Sequence, residues 1–130
     1  MILTPGLSGE ASTTVDQTNT AASLGSGLVP VYGTPSLIAL LELAAVHAVA
    51  EALPPGSTSV GTHLDVRHLA ATPIGMAVRA TATLTAVDGR RLSFAVEAYD
   101  EVEKVGEGLH TRVIVDVERF IQRAESKKTT

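Results

Sequence analysis

One segment constrains the fold of this chain more than any other, because residues 34–53 read as a helix that is apolar on nearly every side. Thr34 suits the N-cap, Pro35 suits the first helical position, and a Pro-Pro-Gly run at 54–56 ends the helix after about 19 residues. A helix without a polar face is buried on most sides. The rest of a 130-residue, single-domain chain therefore has to wrap around it.

The other segments read as β-strands. Before the helix, residues 8–19 alternate weakly and predict an edge strand. After it, four segments alternate apolar and polar side chains with tight turns between them: 59–71, 76–87, 91–99 and 105–120. An antiparallel sheet with one apolar face must be covered, and the helix is the only available cover. The sequence therefore predicts an α+β hotdog fold, an antiparallel β-sheet wrapped around one long central helix.

The predicted hotdog domain spans residues 1–120, and the polar residues 121–130 are expected to form a frayed tail. One helix leaves part of a large sheet face and a sheet edge exposed, which favours a homodimer. The glycine-rich segment 20–33 reads as a long irregular loop. Such a loop beside a helix is typical of a functional or disordered segment.

Composition excludes several classes of function. A net charge of −4 and an aromatic content of 3% argue against nucleic-acid partners. The absence of cysteine excludes disulfides, Cys-ligated zinc and thiolate catalysis. The N-terminus lacks the pattern of a signal peptide, and Glu42 and His47 interrupt the one long apolar run, so no membrane span is expected. The cytoplasm is the default compartment.

Glu42 is the most informative single residue, because it lies inside the apolar helix. Burying a carboxylate costs several kcal/mol unless it is paired, hydrogen-bonded or neutralised. An active site is one reason to keep it, since burial tunes a carboxyl group for chemistry. A half-exposed glutamate near a helix end is the alternative.

His68 is the second candidate, because strand alternation places it on the face that meets the helix. Taken alone, it is also compatible with a satisfied core histidine, and Thr34 is also compatible with a simple cap. Together with Glu42, the two side chains supply what is needed to activate a hydroxyl or a water molecule.

The spacing of these residues continues through several short motifs. They are Thr34 with Glu42 eight residues on, Gly61-Thr62 with His68 seven residues after the glycine, 70–76 (AATPIGM), 87–94 (VDGRRLSF) and 108–114 (GLHTRVI). In this joint spacing the chain resembles the fluoroacetyl-CoA thioesterase family of single-hotdog proteins, from roughly Thr18 to Phe120.

The resemblance implies an acyl-CoA thioesterase that needs no cofactor. It implies that Thr34, Glu42 and His68 form the catalytic set. It also implies that Gly61 lies at the substrate carbonyl and that Arg112 binds substrate. A non-catalytic hotdog binder of CoA esters or small acyl ligands is the alternative; a hotdog dehydratase is disfavoured because no histidine precedes His47.

The chain departs from the family in the segment before Thr34. Phenylalanines gate the acyl pocket there in the fluoroacetyl-CoA enzyme, whereas residues 28–33 contain none. Leu28 and Tyr32 are the bulky members of this stretch and the expected substrate-binding residues. We therefore expect small or medium acyl groups as substrates.

Two further clusters are weaker candidates. His63 and Asp65 share the outward face of one strand, but two ligands do not make a metal site. Arg90 and Arg91 follow a hairpin turn and are compatible either with a solvated turn or with contact to CoA phosphates.

Overall fold

The structure, a computed structural model, describes residues 2–129. The elements along this part of the chain are β1 (Ser8–Thr14), α1 (Ala21–Leu24), α2 (Thr34–Val49), β2 (Ser57–His68), β3 (Ala77–Asp88), β4 (Arg91–Tyr99), β5 (Lys104–Asp116), α3 (Val117–Glu125) and a 3₁₀ turn (Ser126–Thr129).

The five strands form one antiparallel sheet in the order β1-β3-β4-β5-β2. Helix α2 lies against the inner face of this sheet, mainly over β1 and β3. The predicted hotdog architecture is therefore confirmed.

The core lies between α2 and the sheet. Large apolar side chains of both layers are fully buried there, at roughly 1.5–3 kcal/mol each: Leu37, Leu41, Leu84, Leu92, Phe94 and Val96. Gly9 allows the closest approach of the two layers, because a Cβ atom at this position would collide with the backbone of Ala44 and Ala48. The edge strand β1 can thus lie directly on the helix.

The ends of the elements differ from the sequence predictions. Helix α2 ends at Val49, and its N-cap is Gly33, so Thr34 is already helical and its side chain caps nothing. The predicted cap was wrong because the Thr34 hydroxyl bonds elsewhere, as described below. Strand β5 ends at Asp116, whose side chain accepts a hydrogen bond from the Arg119 N–H and so starts α3 where strand and frayed tail were expected.

The segment 20–33 is more ordered than its composition predicts. It contains the short helix α1, which Thr20 caps through the Ser23 N–H and which ends at Gly25 in the left-handed conformation (φ 73°). An isolated bridge joins Thr20 to Tyr32, and Val31 bridges to Pro73. The segment is therefore held against the connection between β2 and β3 immediately before Thr34.

Strand β2 is an edge of the sheet, and its register with β5 shifts between Gly61 and His63. This bulge lies beside the middle of α2, in the most exposed part of the strand. Over the described length of the chain, no helix combines the length and hydropathy that a bilayer crossing requires.

Candidate active site

The structure brings Thr34 and His68 into direct contact. The Thr34 Oγ1 lies 2.8 Å from the His68 Nδ1. Thr34 is the first residue of α2 and His68 the last residue of β2, so the contact joins the start of the helix to the end of the edge strand. Either the hydroxyl donates to the ring nitrogen or the protonated ring nitrogen donates to the hydroxyl, depending on the imidazole tautomer.

The other nitrogen of His68 is free for chemistry. Among the described residues, the His68 Nε2 is buried and has no hydrogen-bond partner. Burial lowers the pKa of His68 below its usual value of 6.5, and a weaker interaction with the Ala70 backbone acts in the opposite direction. A neutral imidazole with one unpartnered nitrogen is well suited to act as a general base.

A cavity of about 410 Å³ opens beside this pair. Its lining includes Thr34 and His68, together with part of segment 20–33 and the chain that follows β2: Ala21, Ser26, Gly27, Val29, Val31, Tyr32, Leu69, Ala70 and Ala71. Most of these side chains are small or apolar. The cavity can therefore take a short acyl group next to the histidine.

Glu42 lies in a second cluster, in the middle of α2. Its Oε2 accepts a hydrogen bond from the Arg112 Nη1 at 3.0 Å. The Glu42 side chain is 35% exposed, whereas that of Arg112 is 6% exposed. The carboxylate is therefore paired, as a carboxylate in an apolar helix must be, and it keeps one open side.

Arg112 is itself firmly held. Its Nε donates to the Ser59 Oγ and its Nη2 to the Ser59 carbonyl oxygen, both at 2.8 Å. Its Nη1 also donates to the His110 Nε2 at 3.1 Å. With these bonds the guanidinium positions the Glu42 carboxylate rigidly, while direct contact of Arg112 with a substrate stays a prediction.

His110 was not identified from the sequence. Because a guanidinium can only donate, the His110 Nε2 must accept from Arg112, and the Nδ1–H donates to the His63 carbonyl oxygen at 2.8 Å. Burial and the neighbouring Arg112 charge lower the pKa of His110 and keep it neutral. The available signal was strand alternation, since His110 lies two residues before Arg112 on the same face of β5.

Gly61 lies against the Glu42 cluster. A Cβ atom here would collide with the Glu42 Oε2 and lie 3.2 Å from the His110 Cε1 and 3.4 Å from the Arg112 Nη1. Only glycine lets the backbone of the β2 bulge come this close to the carboxylate.

Within one chain the two clusters are separate. Thr34 and Glu42 are eight residues apart on one helix, which is about 12 Å along its axis at 1.5 Å per residue. The structure thus joins Thr34 to His68 and Glu42 to Gly61 and Arg112, but it does not join Glu42 to the Thr34–His68 pair.

The two expected gating residues have different surroundings. Tyr32 is 2% exposed, and its hydroxyl donates to the Ser36 carbonyl oxygen at 3.1 Å. Burial raises the pKa of Tyr32 to about 12. Leu28 is 98% exposed, and Val29 rather than Leu28 lines the cavity. Contact of Leu28 with a substrate stays a prediction.

Metal ligation has no support from the arrangement of side chains. In residues 2–129, no three His, Asp or Glu side chains lie where they could hold one metal ion. The pair His63 and Asp65 gains no third ligand there.

Comparison with known proteins places this geometry in a family. The profile of the family described as "FlK: Fluoroacetyl-CoA-specific thioesterase" matches residues 15–118. The fluoroacetyl-CoA thioesterase of Streptantibioticus cattleyicolor is 43% identical over 97 residues, which are 75% of this chain and 70% of that protein.

Solved structures agree with the sequence match. A mutant of the fluoroacetyl-CoA thioesterase FlK in complex with acetyl-CoA superimposes with a TM-score of 0.89 at 34% identity, covering 96% of this chain and 98% of that one. A thioesterase superfamily member from Thermus thermophilus superimposes with a TM-score of 0.86 at 30% identity, covering 97% and 96%. The chain therefore belongs to the fluoroacetyl-CoA-specific thioesterase family of hotdog thioester hydrolases.

Proposed function

We propose that this protein hydrolyses small or medium acyl-CoA thioesters to the free acid and CoA, with Thr34, Glu42 and His68 as its catalytic residues. The observation that carries the proposal is the His68 Nε2, which is buried, has no partner within the described residues and lies beside a cavity of short-acyl size. A purely structural buried imidazole nitrogen would be expected to have a hydrogen-bond partner.

The site is completed by a second copy of the chain. Glu42 and the Thr34–His68 pair are too far apart in one chain to act on the same carbonyl carbon. Glu42 lies beside Gly61, at one end of the exposed part of edge strand β2, and the pair lies at the other end. A twofold dimer that pairs β2 with the partner's β2 runs the two strands in opposite directions. The arrangement would bring the Glu42 half of one chain toward the Thr34–His68 half of the other.

The roles of the residues follow from their surroundings. Thr34 orients the His68 ring through Nδ1, which leaves Nε2 to take a proton from water or give one to the departing thiolate. Glu42, held by Arg112, either acts as a base that activates water for attack on the thioester carbonyl carbon or attacks that carbon itself as the nucleophile. As a base, Glu42 takes a proton from the water that adds to the acyl carbon, the C–S bond breaks, and the CoA sulfur leaves with a proton from His68. As a nucleophile, Glu42 forms a mixed anhydride with the acyl group while the C–S bond breaks and the CoA sulfur is protonated. Water then hydrolyses the anhydride to the free acid and restores the carboxylate.

The developing negative charge on the carbonyl oxygen needs a donor. Gly61 brings backbone close to the Glu42 carboxylate, so the substrate carbonyl would lie next to the bulge in β2. We assign the Gly61 N–H to the oxyanion, because a backbone donor fixed by a sheet requires no reorganisation during the reaction.

Release of free thiol from acetyl-, propionyl- and butyryl-CoA tests the proposal directly, and a chain without cysteine adds no thiol background. Glu42→Gln keeps the side-chain shape and should lower kcat by roughly 10²-fold or more, because a base or nucleophile is removed. Glu51→Gln, a matched change at an exposed position in the turn just after α2, should leave kcat unchanged. Tight binding of acyl-CoA without thiol release by the wild-type protein would instead identify a non-catalytic binder of CoA esters.

A further inference from the structure

A second cavity, of about 570 Å³, lies at the opposite end of α2 from the Thr34–His68 pair. Its walls come from the α2–β2 connection, the β3–β4 turn, the end of β5 and one face of α3. Three arginines line it together with apolar side chains: Arg90, Arg119, Arg123, Pro54, Ile114 and Phe120.

The charge in this cavity is uncompensated. In the part of the chain that the structure describes, the guanidinium groups of Arg90, Arg119 and Arg123 make no hydrogen bond or ion pair. The acidic side chain in the lining is Asp116, whose Oδ1 accepts from the Arg119 backbone N–H. Three free cations in one cavity are unusual in a chain whose net charge is −4, and they point to an anionic ligand.

The apolar part of the lining restricts the chemistry of the ligand further. Phe120 is 46% exposed and lies on α3 next to Arg119. An exposed aromatic ring in the same cavity as guanidinium groups suits a flat base, which can stack on either. The ligand that fits the lining therefore combines phosphate charge with an aromatic base.

The position of the cavity relates it to the Glu42 cluster. Ile114 and Asp116 follow Arg112 on the same face of β5, so the cavity begins about 7 Å beyond the residue that holds Glu42 and reaches about 13 Å from it, at 3.3 Å per residue. A ligand with its reacting group at Glu42 and a flexible arm along the sheet would place its far end here.

We propose that this cavity binds the nucleotide end of the acyl-CoA substrate, with Arg90, Arg119 and Arg123 on its phosphates and Phe120 against the adenine. The assignment rests on the proposed thioesterase function for the identity of the ligand. The three arginines contribute to binding and take no part in the chemical step.

Calorimetric titration with CoA tests the assignment without requiring hydrolysis. Arg119→Gln/Arg123→Gln should bind CoA about tenfold more weakly, since two exposed charge contacts are lost. The fold should survive, because α3 buries none of its residues. Lys127→Gln/Lys128→Gln removes the same charge from the same end of the chain, outside the cavity, and should bind CoA as the wild type does.

Two further measurements distinguish a loss of contacts to the nucleotide from a general loss of binding or of catalysis. Pantetheine, which lacks the nucleotide, should bind the wild type and the arginine variant equally, and in acyl-CoA hydrolysis the arginine variant should raise KM about tenfold with kcat unchanged. Unchanged CoA affinity in the arginine variant, an equal loss in the lysine variant, or displacement of CoA by equimolar inorganic phosphate would overturn the assignment. Correct CoA binding without hydrolysis would refute the proposed function alone.

Discussion

At the scale of single residues, the proposed site depends on contacts that sequence patterns reveal only in part. Alternation placed His68 on the inward face, and the apolar helix made Glu42 conspicuous. Neither pattern could show that the Thr34 hydroxyl turns away from the helix end to bond His68, because a cap and a side-chain contact need the same residue type. His110 was missed because a buried neutral histidine has no signature beyond its parity with Arg112.

Gly61→Ala tests whether the close approach of β2 to Glu42 is needed for catalysis. The added Cβ would push the Glu42 carboxylate away from Arg112, and the buried His110 and Arg112 side chains beside it would have to shift slightly. We expect a loss of kcat by roughly 10²-fold with a stability loss of about 1–3 kcal/mol, because the Glu42–Arg112 hydrogen bond is weakened.

The measurements are steady-state kinetics and chemical denaturation of the Gly61→Ala variant. Gly75→Ala meets no atom within 4 Å and is remote from Glu42, so it should keep its activity; its φ of 97° makes it a control for kinetics and not for stability. Full activity of Gly61→Ala would show that the carboxylate position is not critical.

The pH dependence of hydrolysis reports on His68. Because burial lowers its pKa below 6.5, His68 stays neutral at pH values where an ordinary histidine is already protonated. Its function as a base should be lost only as the pH falls through this lowered value, so the acidic limb of kcat/KM should have its midpoint below 6.5.

The lowered pKa of His68 also makes the free energy of unfolding depend on pH. The unfolded chain binds the proton more readily than the folded chain, so the contribution of His68 to stability is complete above pH 6.5 and decreases as the pH falls through the folded-state pKa.

The control for the pH dependence of activity is His63→Gln, on the outward face of the same strand, which should retain the acidic limb of kcat/KM. A limb centred at or above 6.5 would contradict the assignment of His68 as the base.

At the scale of elements, the hydrophobic pattern was sufficient for the fold. One apolar helix and five alternating strands allow few other arrangements, and the order of the elements was correct. The prediction for the C-terminal end of the chain was wrong. A polar, amphipathic stretch such as 117–125 is helical or frayed depending on its cap, and Asp116 provides that cap. Segment 20–33 was predicted to be irregular. Its order was missed because the two bridges that hold it join residues distant in sequence and leave no local pattern.

Segment 20–33 should set the choice of acyl group, since it lines the cavity beside His68. Val29→Ala should enlarge this cavity and raise kcat/KM for butyryl-CoA relative to acetyl-CoA by roughly tenfold, as expected for one or two methylene groups in an apolar pocket. Val102→Ala, at an exposed position in the β4–β5 turn, should leave the ratio unchanged.

The wild-type protein should discriminate little between fluoroacetyl- and acetyl-CoA, because this segment has no phenylalanine. A preference for fluoroacetyl-CoA above about 10⁴-fold would exceed what such packing differences supply. It would show that Leu28 or its neighbours gate the cavity without aromatic rings.

At the scale of the whole molecule, one chain contains the two parts of the proposed site, Glu42 and the Thr34–His68 pair, about 12 Å apart on α2. Leu28 and Leu109 are 98% and 61% exposed, and edge strand β2 has no partner beyond it among the described residues. A homodimer would cover apolar surface of this kind and complete the site at once. The sequence predicts such a dimer from the sheet edge, and in the proposed site the dimer would also bring the two parts together.

Complementation between two inactive variants tests this composite site most directly. Glu42→Gln and His68→Ala each remove a different half, so both homodimers should be inactive. Denaturing and refolding the two together at equal concentration should form half of the dimers as heterodimers, each with one intact and one doubly altered site, so that about a quarter of wild-type activity returns. Sites confined to single chains would give no recovery on mixing, and that result would contradict the account.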